Sequence, residues 1–129
     1  MGQSHAVIID DNNRNRQVLG QLLLNQGITH TGISDPNQIS SVLENVAQVN
    51  VIFLDLEMPG LNGYDVFEKL KSVSDLEAVP IVAYTVHVSE MNTAYQHGFH
   101  SFIPKPLDPD RFPDQITRIL NGERVWERA

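Results

Sequence analysis

Aspartates, a threonine and a lysine stand where short apolar runs end, and their types together suggest one kind of chemistry. Asp10-Asp11 closes the run Ala6-Val-Ile-Ile9, Asp55 closes Val51-Ile-Phe-Leu54, Thr85 closes Ile81-Val-Ala-Tyr84, and Lys105 follows His100-Ser-Phe-Ile103. Three carboxylates gathered at one place repel one another and resist ionising together. A hard divalent cation relieves that repulsion, and a small set of oxygen ligands with room left for water suits Mg²⁺, or Mn²⁺ in its place. A phosphoryl group arriving there meets the cation on one side and an ammonium on the other, which is charge neutralisation by positioning. Asp55 is then the natural nucleophile, because a carboxylate forms an acyl phosphate without first losing a proton at neutral pH.

Each residue alone has a plainer explanation. An Asp pair before a helix can be a cap, and Asp55 before Met58-Pro59-Gly60 can be a turn residue. Thr85 is β-branched and suits a strand for packing reasons alone, and a lone lysine is usually solvated. The coincidence at four strand ends favours a shared site.

That coincidence requires a particular scaffold. Apolar runs alternate with stretches of helical periodicity, the signature of repeated βα units. Strands are expected at His5-Asp10, Thr29-Ser34, Asn50-Asp55, Val79-Thr85 and His100-Ile103. The first, third and fourth are apolar without alternation, as parallel strands covered on both faces should be. Residues 12–26 place Val18, Leu19, Leu22 and Leu23 on one stripe before Gly27. Asp35-Pro36 and Asp108-Pro109 read as caps with proline at the first helical position, leading Ile39, Val42, Leu43 and Val46, and Phe112, Ile116, Ile119 and Leu120. Gly63-Ser72 supplies a third helix through Val66, Phe67 and Leu70, and Ser89-His97 a short fourth. The expected fold is α/β, a five-stranded parallel sheet in order 2-1-3-4-5 with helices on both faces, flavodoxin-like and doubly wound. Ligands of such sheets lie outside the carboxyl ends of the strands, where these residues stand. One domain is expected over 1–129, with a core of about 5–121 and a short tail, 122–129.

Composition restricts the function. The 129 residues hold 16 Asp+Glu against 9 Lys+Arg, a formal charge of −7, with 41% hydrophobic and 19% charged residues. The excess acid lies before residue 100, so no basic stripe exists for a phosphate backbone and direct nucleic-acid binding is not expected. No apolar run approaches the roughly 18 residues of a spanning helix, and Met1-Gly-Gln-Ser-His5 has no basic leader, so the expectation is a cytoplasmic chain without a membrane partner. There is no cysteine, which removes thiolate metal sites and cysteine nucleophiles. Five histidines, at 5, 30, 87, 97 and 100, make no helical ligand pair with a supporting carboxylate, so zinc is not expected.

The stretches Val7-Ile-Ile-Asp-Asp-Asn12, Ile52-Phe-Leu-Asp-Leu-Glu-Met-Pro-Gly-Leu-Asn-Gly63, Tyr84-Thr85 and Gly98-Phe-His-Ser-Phe-Ile-Pro-Lys-Pro106 together resemble the receiver domains of two-component response regulators, of the stand-alone, single-domain type. The resemblance implies a phosphorylation-dependent signalling switch and not a turnover enzyme, one that assists its own phosphorylation and dephosphorylation. It implies Asp55 as phosphoacceptor, Asp11 as direct metal ligand, Asp10 as a direct or water-mediated one, and the backbone carbonyl of Glu57 completing the set around Mg²⁺. Thr85 and Lys105 would hold the phosphoryl group, Lys105 ahead of a cis peptide to Pro106, and Phe102 occupies the aromatic switch position. The output surface implied is helix 4, strand 5 and helix 5.

The implied donor is a histidine kinase or phosphotransfer protein, and the implied output an unidentified downstream protein, with a homodimer as a further option. A phosphorylation-independent scaffold of the same fold is the alternative, as is a small flavodoxin-like electron carrier or phosphatase, although no flavin phosphate loop is evident. Four positions depart from the pattern or stand near the pocket. Val86 replaces the usual Ala or Gly and is expected to narrow access. The Thr85 to Gly98 interval is about two residues short, Pro104 precedes the lysine, and His87 lies near the pocket mouth, where a solvated loop role is expected and tuning of the phosphate lifetime is the alternative. The stretch Asp10-Asp-Asn-Asn-Arg-Asn-Arg16 most resembles receivers associated with hybrid sensor kinases, with Asn15 and Arg16 as simply the wet face of helix 1 the alternative. The side chain of Glu57 could gate the pocket, and Trp126 either packs on the domain or anchors a partner.

Overall fold

The computed structural model describes residues 4–46 and 48–127. Its main elements alternate as β1 (His5–Ile9), α1 (Asn13–Asn25), β2 (Thr29–Ile33), α2 (Ile39–Leu43), β3 (Val51–Asp55), α3 (Gly63–Lys71), β4 (Ile81–Thr85), α4 (Met91–His97), β5 (Ser101–Pro104) and α5 (Phe112–Leu120). The sheet is parallel throughout, in the order β2-β1-β3-β4-β5. The doubly wound fold expected from the sequence is therefore the one observed.

The unbroken apolar runs are central strands. Ala6 to Ile9, Val51 to Leu54 and Ile81 to Ala83 are wholly inaccessible to solvent, because each has a helix layer above and below it. Alternate residues along each strand feed opposite layers. Val7, Ile9, Ile52, Leu54, Ile81 and Ala83 meet Ile39 of α2, Val66, Phe67 and Leu70 of α3, and Ala94 of α4. Ala6, Ile8, Val51, Phe53, Val82 and Tyr84 meet Leu19 and Leu23 of α1 and Phe112, Ile116 and Ile119 of α5. Edge strand β2, Thr-His-Thr-Gly-Ile, lacks such a run and is only partly covered.

Several boundaries differ from expectation for local reasons. The inward stripe of α1 is Leu19, Gly20 and Leu23, with Leu22 only partly buried and Val18 46% exposed. Gly20 belongs to that stripe because the His30 ring lies against it, only 2.6 Å from where a Cβ would sit. Asp35 caps a 3-10 turn, Pro36–Gln38, through Asn37 N–H, and α2 proper is just five residues. Asp108 likewise accepts from Asp110 N–H in a turn, so it does not cap α5, which begins at Phe112 after Arg111. A two-residue hairpin, Glu57–Met58 with Leu61–Asn62, follows β3 around Gly60 at φ 74°. Gly63 must lack a side chain, since a Cβ there would lie 2.8 Å from the Leu56 Cα. That close approach seats α3 directly behind the residue after Asp55.

Candidate functional site

The carboxyl ends of β1, β3 and β4 form one rim, and Lys105 reaches it from just beyond β5. In β1 the backbone leaves the sheet at Asp10, whose N–H still pairs with the Ile33 carbonyl. The cap of α1 is Asn12, whose Oδ1 accepts from Asn15 N–H at 3.0 Å. The Asp pair is thus not the helix cap, and the capping alternative for it fails. Asp10, Asp11 and Asp55 each offer an oxygen within 4.8 Å of the others. With Asp11 exposed and the other two buried, the cluster opens toward solvent on one side only.

Lys105 Nζ lies 3.1 Å from Asp10 Oδ2 and 3.3 Å from Asp55 Oδ1, with only 10% of its side chain accessible. It is not the solvated lysine of the plain reading. Its ammonium also sits 4.3 Å from the centroid of the Tyr84 ring, a cation-π contact. The Lys105-Pro106 peptide is cis. Thr85 is buried, its Oγ1 accepting from His87 N–H at 3.2 Å. Asp55 Oδ1 does accept from Glu57 N–H at 3.0 Å, so the turn role exists alongside the cluster role.

The two buried carboxyls differ. Burial raises the cost of charging Asp10, but Asn12 N–H, the Tyr84 hydroxyl and Lys105 outweigh it and hold the group below the ordinary carboxylate range. Asp55 is pushed up to about 6, chiefly by burial and with the Asp10 charge adding to it, against the pull of Glu57 N–H and Lys105. Burial and then the Asp10 charge push the Tyr84 phenol well above its usual value, so it stays a donor.

Tyr84 escaped the sequence reading. Its hydroxyl donates to Asp10 Oδ2 at 2.7 Å from the layer opposite Thr85. The available signal was a phenol in an otherwise apolar, fully buried run, since a buried tyrosine hydroxyl needs a partner. Arg16 is also more than the wet face of α1: it donates through Nη1 to the Asp10 carbonyl at 2.7 Å and through Nη2 to Asn13 Oδ1. Asn15 and Asn12 line the cleft, about 570 Å³, together with Asp11, Asp55, Glu57, Pro59, Thr85, Val86, Lys105 and Pro106. Val86 is 57% exposed on its wall. His87 is exposed, as the solvated loop reading expects, and its Nε2 lies 2.6 Å from Glu57 Oε1. Phe102 lies apart from the cleft and is wholly buried, with Trp126 stacked on it; packing on the domain is the reading of Trp126 that holds. Tail residues 128 and 129 lie outside the described residues.

A family profile described as "Response regulator receiver domain" matches residues 6–117. The chain belongs to that family, the receiver domains of response regulators. Among curated relatives it is similar to two-component response regulator ARR17 of Arabidopsis thaliana, 30% identical over 131 residues, covering 91% of this chain and 85% of that protein. It is also similar to two-component response regulator ORR5 of Oryza sativa subsp. japonica, 25% identical over 121 residues, covering 92% and 90%. Among solved structures, the chemotaxis response regulator CheY4 of Vibrio cholerae superposes with a TM-score of 0.80 at 20% identity, over 92% of this chain and 99% of that one, a likeness of fold. Among the described residues, no helix is long and apolar enough to cross a membrane.

Proposed function

We propose that this receiver domain is a phosphorylation-dependent switch in a two-component phosphorelay, accepting a phosphoryl group on Asp55 from a phosphohistidine of a kinase or phosphotransfer protein. The observation that carries the reading is the Lys105 ammonium held between Asp10 and Asp55 inside a cluster of three carboxylates.

The oxygens of Asp10, Asp11 and Asp55 fit a small hard cation, the Glu57 carbonyl is the further ligand proposed for it, and Mg²⁺ would supply neutralisation of the charge on the transferring group. The rest falls to the chain's own residues. An Asp55 carboxylate oxygen attacks phosphorus, and the P–N bond of the donor breaks. The departing imidazole nitrogen keeps the electron pair and is protonated from solvent. Lys105 then turns from its shared position toward the new phosphoryl oxygens, while Tyr84 and Asn12 N–H keep the buried Asp10 supplied with donors. The Thr85 hydroxyl, whose oxygen accepts from His87 N–H, turns to donate its proton to a phosphoryl oxygen, and the chain acts on a downstream protein through the surface that this changes. Val86 and the Glu57–His87 pair stand at the mouth and set how fast donor and water enter.

The test is incubation with acetyl phosphate and Mg²⁺ followed by intact mass. Wild type should gain one acid-labile phosphoryl group and Asp55→Asn none, because the amide lacks the nucleophilic carboxylate. Equal labelling of the two proteins would overturn the assignment. A phosphorylation-independent scaffold predicts no adduct on either, together with unchanged partner affinity in Asp55→Asn.

A further inference from the structure

After α5 the chain turns at Gly122, and residues 125–127 run along β5 in parallel. Phe102 N–H donates to the Val125 carbonyl at 2.8 Å, Glu127 N–H to the Phe102 carbonyl at 3.1 Å, and Val125 N–H to Ser101 Oγ at 2.9 Å. Side chains alternate as in a strand. Val125, 1% exposed, enters the α1 and α5 layer, while Trp126 packs on the opposite layer. The Trp126 ring lies 12° from parallel to Phe102 with centroids 6.3 Å apart, and Tyr95 of α4 meets it edge-on at 5.2 Å. The segment therefore seals the sheet edge that β5 would otherwise present unpaired.

Phe102 lies between this cover and the rim. It is the register partner of Ala83, and Thr85, two residues further along β4, projects to the same face as Ala83. If the Thr85 hydroxyl turns toward a group on Asp55, it vacates volume on that face. A close-packed interior answers by moving a neighbour. A large side chain on that face, diagonal to Thr85 in the sheet, is Phe102, whose outer face is covered by the indole. Movement of Phe102 removes the stacking partner of Trp126. The cover is also imperfectly held, because the indole Nε1 is buried without a hydrogen-bond partner.

We propose that residues 123–127 are a built-in cover over the β5 edge, released when Asp55 is phosphorylated, and that the uncovered edge receives an extended segment of a partner protein carrying an aliphatic-aromatic pair. The partner chemistry is read from the cover itself, which shows what this edge accepts: backbone pairing to Phe102, an aliphatic side chain toward one layer and an aromatic one over Phe102. The proposal rests on phosphorylation of Asp55.

Trp126 is the sole tryptophan, so its emission reports on the cover in the intact chain. Beryllofluoride with Mg²⁺ should red-shift that emission and speed amide exchange at Phe102 and Glu127 about tenfold. It should also raise affinity for a labelled peptide copying residues 122–127 about tenfold. Trp126→Ala should bind the peptide without the mimic. Acetyl phosphate labelling, followed by mass in parallel, separates the possible failures. An adduct on Asp55 with unchanged emission, exchange and peptide binding overturns the cover. The absence of any adduct overturns the phosphorylation reading and the release that depends on it. A dimer formed with beryllofluoride while Phe102 and Glu127 stay protected would overturn the partner assignment in favour of a second copy.

Discussion

Asp10 and Asp55 end adjacent strands, are both buried, and share one lysine, yet they are opposites. Asp10 has a donor on one oxygen and two on the other, from Asn12, Tyr84 and Lys105, and remains charged despite its burial. Asp55 has fewer donors for the same burial and is pushed up to about 6. The lesson is that burial alone does not make a reactive carboxylate. The saturated group provides fixed charge and geometry, and the undersupplied one is the carboxylate to which the proposed function assigns the incoming group.

The strongest way to break this contrast is to remove the shared cation. Lys105→Ala should destabilise the chain by about 3 kcal/mol at neutral pH, because two buried carboxylates lose their counterion. Urea unfolding at pH 7 and pH 5 checks it, and the loss should shrink at pH 5 as Asp55 takes up a proton. An equal loss at both values would mean that the lysine supports packing only.

Titration separates the two groups by sign. Asp55 is raised from 3.8 to about 6 in the folded chain, so the native state binds the extra proton between those values. Its contribution is fully present below about 4 and is lost as pH rises through about 6, a fall of about 2–3 kcal/mol without divalent cation. Unfolding free energies measured in EDTA should show that slope in wild type and not in Asp55→Asn. Asp10 behaves in reverse, because its lowered value gives stability that is present above its unfolded range and lost as pH falls.

Tyr84→Phe keeps the ring over Lys105 and removes one donor from Asp10, so it should cost about 1–2 kcal/mol near neutrality. The cost should diminish in acid, where Asp10 is protonated; a cost independent of pH would make Tyr84 a packing residue. The smallest effect concerns the cation. At a tenfold excess over its dissociation constant, Mg²⁺ should stabilise wild type by about 1.4 kcal/mol. Asp11→Ala should lose most of that gain in thermal melts, and equal gains in both proteins would remove Asp11 from the site.

Much of this arrangement is legible in the sequence, and its gaps have physical causes. Unbroken apolar runs ending in Asp10, Asp55 and Thr85 report central parallel strands and their rim, because burial on both faces leaves no room for alternation. Helix starts were harder to read, since Asp35 and Asp108 before proline fit a capped turn as well as a capped helix. Tyr84 and Arg16 were hidden for another reason. Each acts through a partner distant in the chain or through backbone, and neither spacing nor residue type displays that. The pairing of 125–127 with Phe102 likewise depends on where α5 ends, which composition does not encode.

The Asp10 carbonyl gripped by Arg16, with Asn12 capping α1, has a consequence for how the cleft could open. Strand and helix on that side are joined like a vice's fixed jaw. Across the gap, α4 begins with no side-chain cap, and its approach is tied by Glu90 N–H to the His87 carbonyl, by His87 N–H to Thr85 Oγ1 and by the half-exposed His87–Glu57 pair. Under the proposed phosphorelay function, a docking donor would meet a wall held by buried contacts to Asp10 on one side and the exposed, uncapped residues 86–90 on the other, where adjustment to different donors would fall.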